Sequence, residues 1–537
     1  MTSEEILRQS FGTIPDLIRA HAAIRPDHPA LVQDGRTLSY HGLDALMDQV
    51  AAALQRDGVR PGDIVAVCAG ISIEYAALFL GSLRAGAAVA PLAPSATAES
   101  LVAMVVDAQA RYLFLDASMN GTPGPLWDRF GTERIALDNA GAAMHWQDWL
   151  APPGALPDAV DIRPDWPFNI IYSSGTTGAP KGIVQPHSMR WQHVQRGTMN
   201  GYGPDAVTLL STPLYSNTTL VSFFPALALG GTVVLMAKFD SAAYLALAEM
   251  HRATHTILVP VQYQRIMAHP DFGRYDLTSF RMKFCTSAPF PAPLKANILR
   301  RWPGGLIEYY GMTEGGGTCM LAAHDRPDKL HTVGIPAPGH DIRLIDELGR
   351  EVPRGETGEV VGHSGSMMTG YYRQPAKTAE AEWYDAAGKR FIRTGDLGRF
   401  DKDGFLTLLD RKKDMIISGG FNVYPSDLEA VLREHADVAE AAVIGVPSDR
   451  WGETPVAFVV LKAAAGATGG SAKPSSALPL VAEGSAKPTA KELLAWANGR
   501  LGKTQRLAAI EVTDRLPRSA IGKILKRDLR DAYNGKV

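Results

Sequence analysis

The segment 172–182 combines glycines, hydroxyls and one lysine directly after an apolar run at 168–171. Glycines at 175, 178 and 182 have no Cβ atom, so a phosphate could approach the backbone closely. The donors beside them are the hydroxyls of Ser173, Ser174, Thr176 and Thr177 and the ammonium of Lys181. Because Lys181 precedes Gly182 and follows Pro180, the spacing is not that of a P-loop and predicts a mobile, hairpin-like lid. A plain surface turn is the alternative.

A carboxylate follows a second strand-like run. Glu314 comes after the apolar residues 305–307 and a short turn, and three glycines follow it. Mg²⁺ prefers hard oxygen ligands, usually one or two carboxylates together with phosphate oxygens. Glu314 is therefore a candidate Mg²⁺ ligand, and Thr313 a candidate donor to phosphates. An exposed glutamate after a turn is the alternative.

Three further segments lie toward the C-terminus. Asp396 stands in a tight turn, where a carboxylate could accept hydrogen bonds from both hydroxyls of a ribose. The charged residues 410–414 are followed by a pair of glycines at 419–420, which indicates a hinge. Gly522 and Lys523 place an ammonium on a loop near the end of the chain. Taken singly, these are also what solvated surface turns look like.

Composition limits the classes of function. The chain has 537 residues, 46% of them hydrophobic and 20% charged, with a formal net charge of -2. These values are typical of a multidomain globular protein and indicate no nucleic-acid surface, so we expect small-molecule partners. Three widely spaced cysteines predict buried thiols and a reducing, cytoplasmic location. The N-terminus lacks a signal-peptide core, and the longest apolar run, 221–237, predicts helix, turn and strand; we expect no integral membrane segment.

The order of predicted elements is that of an α/β protein. Helical patterns such as 43–54 alternate with short apolar runs at 63–68, 88–91, 112–115 and 232–235, which predicts largely parallel sheets with helices on both faces. From about residue 334 to 409 short alternating strands predict a smaller β-rich subdomain. A mixed α and β pattern follows. Residues 463–490 are rich in Ala, Gly, Ser and Pro and predict a flexible insertion.

Five motifs in this order resemble those of the adenylate-forming superfamily, which includes acyl-CoA synthetases similar to 4-coumarate-CoA ligase, over roughly residues 12–530. The resemblance implies an α/β fold: a large N-terminal domain of two doubly covered sheets plus a small β-rich subdomain, and a separate small α+β C-terminal domain. It implies an N-terminal domain at 1–409, a hinge at 410–413 that includes Lys413, and a mobile C-terminal domain at 414–537.

The resemblance also implies a role for each matching residue. Lys523, Thr313 and Glu314 would be catalytic, with Glu314 as the Mg²⁺ ligand. The ATP and AMP site would comprise Ser173, Ser174, Gly175, Thr176, Thr177, Gly178, Lys181, Ser287, Ala288, Pro289, Tyr310, Gly311, Met312, Thr313, Asp396 and Arg411. Gly419 and Gly420 would line the channel for the coenzyme A thiol after the C-terminal domain swings about Lys413.

The acyl pocket implied by the resemblance is lined by Tyr215, Ser216, Asn217, Thr286, Tyr309, Gly317 and Thr318. No acidic residue follows Tyr215 closely, which disfavours an amino-acid substrate, and Asp240 is expected to cap a helix instead. The small Gly317 and Thr318 are expected to enlarge the cavity, and Thr286 to narrow it. This lining favours an aromatic, arylpropenoic or medium-chain acid.

These observations predict an ATP-dependent carboxylic acid–CoA ligase that uses ATP, Mg²⁺ and coenzyme A and forms an acyl-AMP intermediate before the thioester. An acyl-AMP ligase that loads a carrier protein is the alternative. A non-catalytic nucleotide-binding relative is disfavoured because Lys181, Glu314, Asp396 and Lys523 are all present. A monomer and a homodimer are both compatible with the sequence.

Overall fold

The computed structural model describes residues 1–119, 132–138, 140, 144–173, 180–418, 421–448, 451–462, 487–502, 505–519 and 523–534. Several predicted features lie outside this range: residues 174–178 of the phosphate segment together with the Ser173 side chain, the glycines at 419 and 420, and residues 463–486 of the insertion.

Several helices begin at a capping residue whose side chain accepts a backbone hydrogen bond. Asp240 accepts a hydrogen bond from the Ala243 backbone N–H at 2.9 Å, which confirms its predicted role as a helix cap. The helices are α1 (Ser3–Leu7), α2 (Ile14–Ile24), α3 (Tyr40–Arg56), α4 (Ile73–Arg84), α5 (Ala98–Ala108), α6 (Trp146–Trp149), α7 (His187–Gly197), α8 (Asn217–Ala228), α9 (Ser241–Met250), α10 (Pro260–Met267), α11 (Ala292–Arg301), α12 (Pro375–Glu380), α13 (Pro425–Arg433), α14 (Ala490–Asn498) and α15 (Lys526–Asn534).

Short apolar runs form the strands. They are β1 (Pro29–Gln33), β2 (Arg36–Ser39), β3 (Ile64–Cys68), β4 (Ala88–Leu92), β5 (Tyr112–Leu115), β6 (Glu133–Ala136), β7 (Met144–His145), β8 (Pro167–Ser173), β9 (Lys181–Pro186), β10 (Val207–Leu210), β11 (Thr232–Leu235), β12 (His255–Leu258), β13 (Met282–Cys285), β14 (Gly305–Tyr310), β15 (Cys319–Ala322), β16 (Ile335–Pro336), β17 (Asp341–Ile345), β18 (Gly358–His363), β19 (Gly370–Tyr371), β20 (Glu382–Tyr384), β21 (Arg390–Phe400), β22 (Leu406–Arg411), β23 (Ile416–Ser418), β24 (Phe421–Val423), β25 (Val438–Ser448), β26 (Gly452–Leu461) and β27 (Ala509–Val512).

Two large sheets carry the first part of the chain, and both are mainly parallel, as predicted. One has nine strands in the order β16-β15-β14-β13-β12-β10-β11-β1-β2, and the other has eight in the order β19-β9-β8-β4-β3-β5-β6-β7. Antiparallel pairs occur only toward the ends of these sheets in the described residues: β1–β2, β14–β15–β16 and β8–β9–β19. Five strands, β17, β18, β20, β21 and β22, form a third, smaller sheet.

The main core contains residues of both large sheets and of the helices between them. Helix α4 is apolar around most of its circumference, and nearly all of its residues are buried, as expected for a helix enclosed on several sides. Val67 and Phe114 of one sheet and Leu210 and Val233 of the other belong to the same apolar cluster as this helix. The two sheets therefore share one core, which fixes the strand ends that carry the candidate site residues.

The described chain divides into two compact units. The first contains residues 1–355, 360–394 and 400–407, and the second contains 356–359, 395–399 and 408 to the C-terminus. The second unit has its own sheet, β24-β23-β26-β25 with β27 beside β26, and apolar clusters that include Leu428 with Leu493 and Ile444 with Leu529.

Some predicted boundaries differ from the structure. Tyr309 and Tyr310 belong to β14 rather than to a loop, because they pair with Met320 and Cys319 of β15. The predicted insertion at 463–490 ends earlier than expected, since α14 begins at Ala490 with Thr489 as its cap.

The three cysteines are buried and free, as predicted. No helix among the described residues is both long enough and apolar enough to cross a lipid bilayer.

Candidate active site

The lysine of the phosphate segment stands at the base of an antiparallel hairpin. Strands β8 and β9 pair so that Ser173 lies opposite Lys181. The Lys181 Nζ lies 3.7 Å from the centre of the Tyr371 ring, a cation–π contact. Burial lowers the pKa of Lys181, while the charge of Glu314 raises it. The ammonium is thus partly desolvated, and a bound anionic ligand would stabilise its protonated form.

Gly182 has a different role from the predicted one. A Cβ atom at this position would lie 2.8 Å from the Ile170 side chain and 3.0 Å from the Tyr172 ring. Its lack of a side chain therefore allows β8 and β9 to pack together, and the prediction that it leaves room for a phosphate is wrong.

Tyr371 joins the lysine to the predicted metal ligand. Its hydroxyl donates a hydrogen bond of 2.9 Å to Glu314 Oε1, and its ring contacts Lys181. Burial, and then the Glu314 carboxylate, raises the pKa of Tyr371, so the hydroxyl remains a donor. Strand β19 places Tyr371 opposite Ile183 of β9. Lys181 and Glu314, which were predicted from separate motifs, therefore both contact the Tyr371 side chain.

The donor set around Glu314 fits Mg²⁺ bound chiefly through phosphate oxygens. No group of three or more His, Cys, Asp or Glu side chains able to hold a metal is found within the described ranges. A site with one protein carboxylate is typical of Mg²⁺, which keeps waters and substrate phosphates as its other ligands. The Tyr371 hydroxyl on Oε1 would orient the carboxylate for such an ion.

A buried arginine organises the residues behind Thr313. Arg190 is 1% exposed and donates to Asn169 Oδ1 at 3.0 Å and 3.2 Å, to Asn217 Oδ1 at 2.9 Å, and to Gln185 Oε1. No carboxylate pairs with it among the described residues, and burial lowers the pKa of Arg190 to about 9. Its acceptors are these amide oxygens and, at 3.4 Å, His193 Nδ1, so its position depends on several hydrogen bonds together.

Gln185 transmits this arrangement to the predicted catalytic loop. Its Nε2 donates to the Thr313 carbonyl oxygen at 2.6 Å, while Asn169 Nδ2 donates to Gln185 Oε1 at 2.9 Å. Because Gln185 and Asn169 are fully buried, these bonds are shielded from water. The backbone of Thr313, next to Glu314, is therefore fixed from the core.

Ser287, predicted to flank the adenine, has strained backbone geometry. Its φ angle is +83°, a value that L-residues other than glycine rarely adopt. Its hydroxyl forms a short hydrogen bond with the Thr218 hydroxyl of α8. Backbone strain of this kind persists where surrounding contacts enforce it and is frequent at binding sites. The neighbouring Ala288 is partly buried and Pro289 is exposed.

One predicted acyl residue, Tyr309, belongs to a group of stacked aromatic rings. The Tyr309 ring stacks on Phe284 with centroids 6.0 Å apart, and its hydroxyl donates to Asn200 Oδ1 at 2.9 Å. Tyr215 and Thr286 are half-buried, and Ser216 is buried immediately before α8. Tyr310, Met312 and Thr318 are also half-buried.

One prediction about pocket size needs correction. A Cβ atom on Gly317 would overlap Ile342 at 1.8 Å and lie 3.0 Å from the Gly362 backbone. Its small size therefore permits close packing instead of enlarging the cavity. Asn217 is half-buried and its oxygen accepts from Arg190, and its place in the pocket lining stays a prediction. On the other side of the loop, the added Cβ of Gly311 would meet the Thr318 hydroxyl at 3.2 Å.

The predicted ribose ligands meet within the second unit. Arg411 Nε lies 3.2 Å from Asp396 Oδ1, and the neighbouring Lys412 backbone N–H donates to the Gly395 carbonyl at 2.8 Å. Both predicted residues are thus held together, with the carboxylate oriented by the guanidinium.

Lys523 is a partly buried ammonium of the second unit. Burial lowers the pKa of Lys523 to about 8, and the positive charges of Arg411 and Lys413 act in the same direction. Its backbone is paired with Ser519, whose N–H donates to the Lys523 carbonyl at 2.8 Å. Near the predicted hinge, Asp414 forms a 2.6 Å ion pair with Arg530.

Comparison with known proteins identifies the family. The model for the AMP-binding enzyme matches residues 18–372, and that for the AMP-binding enzyme C-terminal domain matches residues 427–523. The chain belongs to the AMP-binding enzyme family. The predicted resemblance to adenylate-forming enzymes is confirmed.

Individual relatives of this AMP-binding enzyme match over nearly their full length. Feruloyl-CoA synthase from an Amycolatopsis species is 34% identical, covering 98% of this chain and 99% of the relative. The fatty acid–[acyl-carrier-protein] ligase ScoC of Streptomyces coeruleorubidus is 32% identical over 96% and 95%. The crystal structure of ATP-bound MatB from Rhodopseudomonas palustris superposes with a TM-score of 0.83 at 28% identity, covering 97% and 99%.

Sequence reasoning missed three residues of this AMP-binding enzyme's candidate site. Tyr371, Arg190 and Gln185 contact predicted residues that are 57, 27 and 128 positions away in the chain. For Tyr371, the two consecutive tyrosines after Gly370 were a signal that the sequence offered. For Gln185, the signal was a long polar side chain in a strand that is otherwise largely buried, whereas Arg190 stands in a helix with many polar residues and gave no such signal.

Proposed function

We propose that this chain is an ATP-dependent carboxylic acid–CoA ligase that forms an acyl-AMP intermediate and then a thioester. The observation that supports this most is the meeting of Lys181 and Glu314 at Tyr371, since it joins a phosphate-binding cation to a candidate Mg²⁺ ligand. Membership of the AMP-binding enzyme family and the likeness to feruloyl-CoA synthase also support it.

In the first step, an oxygen of the acid's carboxylate attacks the α-phosphorus of ATP, and the bond to the bridging oxygen of pyrophosphate breaks. Lys181 would bind the departing phosphates, and the Thr313 hydroxyl would donate to them. Mg²⁺ on Glu314 would neutralise phosphate charge. We propose that the Lys523 ammonium offsets the repulsion between the two reacting anions. Asp396 and Arg411 would bind the ribose.

In the second step, the thiolate of coenzyme A attacks the acyl carbonyl carbon, and AMP leaves. Gly419 and Gly420 are proposed to leave space for the thiol, on the basis of the resemblance alone. The domain division at 1–409, 410–413 and 414–537, with rotation about Lys413, belongs to the same proposal.

The acid is proposed to be aromatic, arylpropenoic or medium-chain. The stacked rings of Tyr309 and Phe284 support a flat or extended apolar substrate. A cytoplasmic location is part of the proposal, supported by three unpaired cysteines in apolar surroundings.

One observation favours a second candidate, an acyl-AMP ligase that loads a carrier protein. ScoC, a fatty acid–[acyl-carrier-protein] ligase, matches over nearly the whole chain. Both candidates share the first step and differ only in the thiol that accepts the acyl group.

A pyrophosphate-release assay across a panel of carboxylic acids distinguishes these functions. We expect acid-dependent release that coenzyme A accelerates, with formation of an acyl-CoA. Acceleration by a phosphopantetheinyl carrier protein but not by coenzyme A would favour the second candidate. The enzyme proposal fails if no acid releases pyrophosphate from ATP.

A further inference from the structure

A polar cleft lies beside the predicted acyl pocket, outside the residues assigned so far. Its volume is about 300 Å³, and its lining includes Gln192, Arg196 and His340. Arg196 belongs to the last turn of α7 and is half-buried. Neither aspartate nor glutamate lines the cleft in the described part of the chain. The cleft therefore presents positive charge without a protein anion to balance it.

The hydrogen bonds of His340 leave donors facing one another. Its Nδ1 accepts from the Thr318 backbone N–H at 3.0 Å, so the ring is neutral and its proton resides on Nε2. That Nε2 lies 2.8 Å from Arg196 Nη1, which can only donate. Two donor atoms at this separation do not form a hydrogen bond, and both would be satisfied by an acceptor placed between and above them.

The remaining contacts of Arg196 fix its orientation. Its Nε donates to the Gln192 carbonyl at 3.3 Å, and its Nη2 donates to the Ser366 hydroxyl at 3.1 Å. Ser366 in turn donates to Gln192 Oε1 at 3.0 Å. Among the described residues Arg196 forms no ion pair. The guanidinium is thus held rigidly with its Nη1 edge, the edge beside His340, left for a ligand.

The electrostatic surroundings favour an anion. Burial lowers the pKa of Arg196, and burial followed by the charges of Arg196 and His363 lowers the pKa of His340 to about 4. A bound oxyanion would stabilise the charged guanidinium and would accept a hydrogen bond from the neutral imidazole. Guanidinium and imidazole N–H donors at one position are suited to the two oxygens of a carboxylate.

The cleft shares its wall with the predicted acyl pocket. His340 holds the backbone of Thr318, a predicted pocket residue. The Ser366 carbonyl packs against Gly315, where an added Cβ would lie 2.0 Å away. Arg196 is close enough to Tyr309 for their charges to interact. The glycine-rich loop after Glu314 therefore borders both the cleft and the residues proposed to hold the reacting carboxylate.

We propose that the cleft binds an oxyanion at Arg196 and His340, and that this oxyanion is the second carboxylate of a dicarboxylic acid substrate. The inference rests on the proposed function and specifies its substrate class. The first carboxylate reacts with ATP near Thr313, while an apolar spacer passes Tyr309 and Thr318. Arg196 is thus a specificity-determining residue that does not contact the reacting atoms.

Matched pairs of acids test this assignment in the full-length enzyme. Pyrophosphate release is measured with succinate and butyrate, adipate and hexanoate, suberate and octanoate, and sebacate and decanoate. The ratio of kcat/KM for the diacid to that for the monoacid is expected to exceed one for at least one spacer length. In Arg196→Met this ratio is expected to fall about 30-fold or more, the effect of removing one partner of a buried charge pair.

Two variants separate recognition from folding. Arg196→Lys keeps the charge but loses the planar fork, so its ratio should lie between those of the wild type and Arg196→Met. Arg300→Met makes the same change at an exposed arginine of the same unit and should leave the ratio unchanged. If Arg196→Met does not fold, the test is whether the diacid-to-monoacid ratio of Arg196→Lys falls below that of the wild type.

The outcomes distinguish this inference from the proposed function. If monoacids react and no diacid is preferred, or if the ratio is the same in both Arg196 variants and the wild type, the inference fails and the proposed function stands. Equal inhibition of monoacid and diacid reactions by sulfate would identify the site as one for a free anion and would overturn the assignment to substrate. If no acid reacts, the proposed function itself fails.

Discussion

Replacing Arg190 with methionine tests whether the buried amide network supports the catalytic loop. The substitution keeps most of the side-chain volume and removes every hydrogen bond that the guanidinium donates. Asn169 Oδ1 would lose both of its Arg190 donors, whereas Gln185 Oε1 would keep Asn169 Nδ2 at 2.9 Å. Asn217 Oδ1 would keep only the long contact of 3.4 Å from Gln185.

The expected loss of stability depends on how many buried acceptors lose their donors. A buried acceptor left without a donor costs about 1–3 kcal/mol. Arg190→Met leaves one acceptor without a donor and one weakly bonded, which gives about 2–5 kcal/mol. Removing a buried charge that has no carboxylate partner offsets part of this cost. We therefore expect the free energy of unfolding to fall by about 3 kcal/mol, a large share of a typical domain's stability.

The functional effect should pass through Gln185. With Arg190 gone, the donor that fixes the Thr313 carbonyl is less well oriented, and we expect kcat for pyrophosphate release to fall about tenfold, equivalent to about 1.4 kcal/mol. The KM for ATP should change less, since Arg190 contacts none of the residues proposed to hold the phosphates.

Urea unfolding followed by fluorescence, together with the pyrophosphate assay, measures both quantities. Arg300→Met is the matched surface control, and Arg190→Lys should show a smaller loss because it retains a cation that reaches some of the oxygens. Wild-type stability and wild-type kcat in Arg190→Met would refute the role of the network.

Three further predictions address other parts of the site. The Lys523 ammonium is protonated below its pKa of about 8, so kcat/KM for adenylation should decline as the pH rises through that value; a pH profile of pyrophosphate release that is flat across it contradicts this. Tyr371→Phe removes only the hydroxyl on Glu314 and should raise the Mg²⁺ concentration for half-maximal activity about tenfold, measured by Mg²⁺ titration. Lys295→Met breaks a fully buried ion pair with Glu308 and should lower the free energy of unfolding in urea by about 3–5 kcal/mol. The Lys295→Met/Glu308→Leu double variant should recover most of this loss, because it leaves no unpaired buried charge. Equal losses in the single and the double variant would contradict this prediction.

Local signals in the sequence were sufficient for the elements and for part of the site. Alternating helices and apolar strands predicted mainly parallel sheets because burial on both faces leaves a continuous apolar pattern. Asp240 was correctly assigned as a cap, since its position before a helix requires no knowledge of the tertiary structure. Lys181 and Glu314 were selected from separate motifs, and both contact Tyr371.

Contacts between distant residues could not be read from the same patterns. Tyr371, Gln185 and Arg190 matter through side-chain bonds across different elements, which depend on register and helix placement. The direction in which a side chain would point from a glycine also depends on the fold. Gly182 and Gly317 were predicted to leave space for a ligand, but neighbouring protein side chains occupy the position of the absent Cβ atom. The sequence shows where a glycine stands in the chain, whereas only the folded structure shows which atoms lie next to it.

Formation of an acyl-AMP before the thioester can be observed directly in a single turnover with one reactive acid. Without coenzyme A, the enzyme, ATP, Mg²⁺ and the acid should yield enzyme-bound acyl-AMP and an equivalent amount of pyrophosphate, detected by mass spectrometry. Adding coenzyme A should then convert the acyl-AMP to acyl-CoA and release AMP. Formation of ADP and phosphate, or of a thioester with no preceding acyl-AMP, would contradict the account.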